Sequence, residues 1–272
     1  MSPVTPAATK ELKWNAADYA ANSAAQHAWA RELMARLALR GNERVLDIGC
    51  GDGKVTAELA RAVPKGSATG IDASPEMIRF ARKTFPPDNH PNLAFQVMDA
   101  RHLRQAQRFD IVFSSSVLHW VDDHPAFLRG AAACLRPGGR LVVSCGGKGN
   151  AQDVFVALRP ELRRKPWRKF FRKLPKPYYF HRPADYEKWL PLFGFQTHSV
   201  KLSPKDAVYP GRDRFAAWFR TTWLPYTQRV PENLREEFTA GVVARYLAKH
   251  PPDAEGCVRV RMVRLEIDAI RI

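Results

Sequence analysis

The sequence predicts an α/β fold, a parallel sheet with helices on both faces. Short apolar runs alternate with helical patterns through the first half, the signature of βαβ units. A glycine-rich turn joins the first of those runs to a helix. Composition is that of a globular chain, 45% hydrophobic and 26% charged. Its 272 residues are read as a single domain, at roughly 150 residues per domain as a prior. No stretch nears the ~18 consecutive apolar residues of a membrane span, and Met1 to Lys10 lacks a secretory leader pattern. Cytoplasmic location and no membrane partner are the expectations.

Taken in order, Trp29, Leu33, Met34 and Leu37 share one helical face, with Gly41 placed as a C-cap. Residues 44–48 (RVLDI) read as a buried strand, and Val55, Leu59 and Val63 as the inner face of the next helix. Residues 67–72 (SATGID) form a second strand, and Ser74-Pro75-Glu76 starts a helix with a cap, a proline and an acid. Further strands are read at 93–99, 109–114 and 141–144, with a helix from about His124 to Leu135. Later come long strands at 196–202 and 258–270. Between them Phe215, Trp218, Phe219, Thr222 and Trp223 follow helical spacing up to Pro225, and a second helix opens at Pro231. The parts are therefore an N-terminal helical lid (1–40), a core (41–148), a basic aromatic helical segment (149–190), final strands (191–203 and 258–272) and a helical cap insertion (204–257).

Lys plus Arg is 43 against 27 Asp plus Glu, a formal charge of +16. Such an excess favours anionic partners: an acidic metabolite, nucleic acid or an acidic carrier protein. Residues 163–182 pack nine basic residues among Trp167, Phe170, Phe171, Tyr178, Tyr179 and Phe180. That mixture can track a single strand of nucleic acid. Helical spacing of Trp167, Phe170, Phe171 and Leu174 favours instead an amphipathic helix facing inward, with Tyr178 and Tyr179 near a pocket mouth. Cys50, Cys134, Cys145 and Cys257 are scattered, without metal-ligand spacing, so reduced and mostly buried thiols are expected.

Chemistry concentrates at residues 45–53, VLDIGCGDG. Glycines there let a ligand approach the backbone, and N–H groups at the helix start can donate to it. The spacing fits neither a P-loop nor a dinucleotide G-x-G-x-x-G. Asp47, Asp72 and Asp99 end three successive strands. Asp72 is placed to accept from ribose hydroxyls, Asp99 from an exocyclic amine, and Asp47 to favour positive charge. Together they point to a nucleoside carrying a cation.

Over roughly residues 44–146 the chain resembles the class I S-adenosylmethionine-dependent methyltransferases. VLDIGCGDG matches their nucleoside-binding motif, GID the acidic strand end, VMDA the adenine-contacting turn and LRPGGRLVVS the step into the fifth strand. The resemblance implies S-adenosylmethionine as cofactor, S-adenosylhomocysteine as product and no metal. Gly49 and Gly51 would line the methionine end, Asp72 hold the ribose, and Asp99 and Ala100 flank the adenine. Tyr19, Ser23, Asp47, Ala73, Met77 and Ser115 complete the implied cofactor shell. It also implies a seven-stranded, mostly parallel Rossmann-like sheet whose last strand, residues 258–270, runs antiparallel.

A narrower resemblance lies outside this core. Tyr19, Asn22, Ser23 and Gln26 are similar to the Y-x-x-N-S-x-x-Q segment of juvenile-hormone acid methyltransferases. Leu118-His119-Trp120 is shared with them and with trans-aconitate methyltransferases, whose cap the stretch from Trp218 to Pro225 resembles. Both families methylate small-molecule carboxylates, which implies an anionic small-molecule substrate positioned by Gln26 and Trp120. Tyr178 and Trp223 are further expected substrate contacts. His119 is the candidate proton acceptor for any amine, hydroxyl or carbon acceptor. Trp120 can face a sulfonium, where a ring attracts a cation by ~0.5–2 kcal/mol. Two alternatives stand beside this reading: a methyltransferase of nucleic acid or an acidic carrier protein, and a non-catalytic nucleoside-binding protein.

Overall fold

The computed structural model describes residues 12–103 and 109–272, so the leader reading of Met1 to Lys10 lies outside the described residues. The chain begins with α1 (Ala16–Asn22) and α2 (Ala24–Ala35), then β1 (Arg44–Ile48), α3 (Lys54–Ala62), β2 (Ser67–Asp72) and α4 (Pro75–Thr84). Next come β3 (Leu93–Val97), β4 (Phe109–Ser115), α5 (His124–Cys134) and β5 (Leu135–Gly146). Three helices follow, α6 (Gln152–Arg163), α7 (Lys165–Arg168) and α8 (Pro183–Leu192), then β6 (Phe195–Pro210). The chain closes with α9 (Gly211–Thr222), α10 (Leu224–Thr227), α11 (Arg235–Leu247) and β7 (Cys257–Arg271).

The seven strands form one sheet in the order β3-β2-β1-β4-β5-β7-β6. β7 runs antiparallel to both neighbours and the other pairs are parallel, as the sequence predicts. Strand order reverses between β1 and β4, and such a switch point leaves a crevice beyond the carboxyl ends of the strands. β1 is buried from Val45 to Ile48, the pattern of a strand covered on both faces. Leu46, Ile48, Phe127, Leu128 and Tyr186 belong to one core cluster, and Leu33, Val45, Leu59, Ile78 and Phe113 to another. A third, rich in aromatics, gathers Trp167, Phe215, Phe219, Phe238 and Tyr246 around the outer ends of β6 and β7.

Four local expectations are corrected. α2 stops at Ala35, so Gly41 (φ +97°) is not its C-cap but part of the turn before β1. Leu37, beyond the helix, is still buried, which is why the apolar spacing outlasts the helix. The basic segment is helical for only one turn, α7, which ends at Arg168, while Phe170, Phe171 and Leu174 pack on the third core without a longer helix. β6 continues to Pro210, paired with Cys257, so the helical insertion starts at Gly211 rather than 204. Pro204 is tolerated there because β6 is the edge strand. Pro225 does not close α9; it lies in the first turn of α10. Cys50, Cys134 and Cys145 are buried and Cys257 is half-buried. Among the described residues no helix is long and apolar enough to cross a membrane.

Candidate functional site

The crevice forms where β1 turns into α3. Gly49, Gly51 and Gly53 take φ of +74°, +54° and +83°, the left-handed region that glycine tolerates. A methyl group at Gly49 would collide with the Val117 side chain. Asp72 ties the turn together: Oδ2 accepts from Gly51 N–H (3.0 Å) and Oδ1 from Ser74 N–H (2.8 Å). Burial raises its pKa against those two bonds. Asp47 lies deeper, 2% exposed, and accepts from the Thr56 hydroxyl at 2.6 Å. Burial pushes its carboxyl up to about 7. Asp47 therefore carries its negative charge only in part near neutral pH.

α1 and α2 roof this turn. The Tyr19 ring lies over Gly51, and burial raises its phenol above the usual range. Lys54 Nζ donates to the Ala20 carbonyl at 2.9 Å, fastening the end of α1 to the start of α3. Ser23, Gln26, Cys50 and Ser115 complete much of the lining. Gln26 Oε1 and Ser115 Oγ are buried without a hydrogen-bond partner among the described residues. Buried polar atoms in native proteins are nearly always satisfied, so two acceptors left open in one crevice are atoms suited to a bound molecule.

Asp99 is partly engaged within the protein. It caps a short turn through Arg101 N–H (2.8 Å) and binds the Arg101 guanidinium at 2.6–3.2 Å. Burial would raise its pKa, but these bonds hold it below the usual carboxylate range. It is an ion-paired carboxylate whose remaining lone pairs can still accept. Ala100 and Met77 are buried and Ala73 is exposed.

His119, Trp120, Tyr178 and Trp223 are brought together in an aromatic wall. The Trp120 centroid lies 4.9 Å from Tyr178 and 5.4 Å from Trp14, and Tyr178 lies 5.7 Å from Trp223. Tyr178 sits in the third core rather than at a mouth: it is 8% exposed, with its hydroxyl donating to the Thr222 carbonyl at 3.2 Å. His119 Nδ1 accepts from Gly146 N–H at 3.3 Å. Burial and the Arg264 charge bring its pKa down to about 3. In the neutral ring the other nitrogen then carries the proton, so no lone pair is left to act as a base.

The sequence reading missed Arg264 on β7, which is 3% exposed and bonds to Ser116 and Ser144 at the ends of β4 and β5. Only its place in the paired register, opposite Gly146, shows that it reaches this end of the sheet.

A family profile described as a methyltransferase domain matches residues 45–139. The trans-aconitate 2-methyltransferase of Agrobacterium fabrum is 31% identical over 274 residues, covering 96% of this chain and 100% of the relative. That of Rhodopseudomonas palustris strain BisB18 is 29% identical over 266 residues, covering 95% and 99%. The YcgJ protein of Bacillus subtilis superposes with a TM-score of 0.59 at 18% identity, over 90% of this chain and 98% of that one. Phosphoethanolamine N-methyltransferase 2 of Haemonchus contortus, solved with phosphomonomethylethanolamine and S-adenosylhomocysteine, gives 0.56 at 16% identity, over 90% and 52%. These two structures share the fold. With a relative above 30% identity from end to end and the matching domain profile across its glycine turn, this chain belongs to the class I S-adenosylmethionine-dependent methyltransferases.

Proposed function

We propose that the protein methylates a carboxylate oxygen of a small anionic acid. The observation that carries this reading is His119, whose Nδ1 is committed to Gly146 and whose pKa is about 3. An amine, hydroxyl or carbon acceptor usually needs a base, and this histidine is a poor one. A carboxylate arrives ionised and needs none. The printed name of the full-length relatives, trans-aconitate 2-methyltransferase, supports an acid acceptor as well.

The crevice fits the cofactor on its own atoms. Gln26 Oε1 and Ser115 Oγ are buried acceptors without partners among the described residues, and each Asp72 oxygen spends one bond on the backbone and keeps capacity for a ribose hydroxyl. In this reading Gly49, Gly51, Ser115, Tyr19 and Ser23 surround the methionine end, and Asp72 holds the ribose. When bound, S-adenosylmethionine supplies an electrophilic methyl group. The Gln26 amide can donate N–H groups to the acceptor carboxylate, and Trp14, Trp120 and Tyr178 exclude water from it. Charge is cancelled as a carboxylate is methylated by a sulfonium, so a dry wall favours the reaction. Trp167 is buried against Phe238, which removes it as a stacking platform and counts against a nucleic-acid substrate.

The test is incubation with methyl-labelled S-adenosylmethionine and a panel of small carboxylic acids. Label released as methanol by mild base is expected, because methyl esters are base-labile. Label that survives base, as on nitrogen or carbon, overturns the reading.

A further inference from the structure

Among the described residues no acid is hydrogen-bonded or ion-paired to the buried Arg264, although Glu32 and Glu266 share a small cavity with it. Glu266, the acid nearest to it in sequence, is engaged by Arg36 (2.7 Å) and Lys201 (3.9 Å). Arg264 itself bonds to neutral oxygens: Nε to Ser144 Oγ (3.3 Å), Nη2 to Ser116 Oγ (3.0 Å) and to the Ser144 carbonyl (2.8 Å). Nη1 donates to none of the described residues. The Trp29 ring covers the guanidinium at 4.9 Å, one turn along α2 from Gln26. Ser116 adopts φ +66°, a left-handed conformation uncommon outside glycine, and it follows Ser115, whose hydroxyl is open in the crevice. Arg264 lines a small neighbouring cavity with Trp29, Ser144 and Glu266, and it faces Gly146, whose N–H bonds to His119 Nδ1, while its partner Ser116 follows the crevice residue Ser115.

We propose that Arg264 binds an anionic group of the methyl acceptor that does not react, making the enzyme selective for acids carrying a second carboxylate. This rests on carboxylate methylation. The reacting carboxylate loses its charge during transfer, so a cation gripping it would stabilise the starting state more than the transition state and slow the reaction. A carboxylate that keeps its charge throughout can be gripped without that cost. The planar fork of arginine suits it, and an unpaired buried cation is unfavourable until an anion arrives.

Fumarate and crotonate test this, since they differ by one carboxylate replaced by methyl. Each is titrated calorimetrically into protein saturated with S-adenosylhomocysteine. Wild type is expected to prefer fumarate by at least about tenfold, the scale of one charged hydrogen-bonded contact. Arg264→Met should erase that preference by weakening fumarate alone, and Arg264→Lys should keep part of it. Thermal melting checks that each variant folds, and the wild-type preference is readable without either variant. Wild type that binds both acids alike, or neither, overturns the proposal. So does equal weakening of both acids in Arg264→Met, which marks a strand clamp, or weakened S-adenosylhomocysteine, which marks a cofactor contact. Ester formation is followed separately. Arg264-dependent fumarate binding without ester overturns carboxylate methylation alone, whereas ester formation with an Arg264-independent preference overturns this inference alone.

Discussion

Asp47 lies beneath the glycine turn with a carboxyl held at about 7, against about 3.9 in an unfolded chain. A folded pKa raised in this way gives stability that is complete below about pH 4 and is lost as pH climbs to about 7. Asp47→Asn keeps an acceptor for Thr56 and removes the charge. It should match wild type near pH 4 and exceed it above pH 7, by ~3 kcal/mol at most, measured by urea unfolding across pH. A difference that stays flat with pH contradicts the buried-acid description. His119→Asn keeps an acceptor for the Gly146 N–H. Turnover within about tenfold of wild type is expected, since losing a true general base costs about 10²–10⁴-fold. A loss in that range returns His119 to the chemistry. The place of Asp72 at the end of β2 was legible from the sequence, because the strand and the capped helix that follows it are both clearly patterned. Arg264 was not, because its partners Ser116 and Ser144 lie 148 and 120 residues away and meet it only through strand pairing. The Asp99–Arg101 pair was not read for a related reason: which of several nearby cations pairs with an acid is decided by side-chain geometry.

Glu161 joins three helices around one carboxylate. Fully buried, it accepts from Trp167 Nε1 (2.9 Å), from Arg245 Nε (2.7 Å) and from Arg164. Those bonds hold its pKa below the ordinary value despite burial. α6, α7 and α11 thus share one anchor, and the exposed flank of the basic segment is tethered by it. Glu161→Gln should cost ~1–3 kcal/mol, read by chemical denaturation. The cost is limited because both arginines are about half exposed and can rehydrate. No measurable loss shows that the helices hold together by apolar packing alone. Elements of the first half were legible because cap, proline and apolar period agree, as at Ser74, whose hydroxyl accepts from Met77 N–H at 3.3 Å. The second half was harder to read. The run from Trp167 to Leu174 has helical spacing, yet α7 ends at Arg168 and tertiary packing buries Trp167 without a longer helix.

Across the whole molecule the charge is +16, which draws small anions toward it from a distance within the Debye length. With an anionic acceptor, kcat/KM should fall by roughly severalfold between about 20 and 300 mM salt while kcat holds steady. A collapse of three orders or more, the scale of many released phosphate counterions, would favour a nucleic acid. The sheet order could be anticipated, but the chambers it frames could not, since they are closed by segments distant in sequence. α1 shows this best. Its seven residues are fastened to the turn by Lys54 and to the insertion by the Asp18–Arg220 pair at 2.9 Å, while Trp14 just before it leans on Trp120. One short helix thus bolts the glycine turn to the cap insertion, and we predict that it must unlatch for products to leave. Departure rather than bond-making should set the tempo, and rapid mixing should reveal a first turnover well ahead of the steady rate; a linear onset would mean that the bolt slides freely.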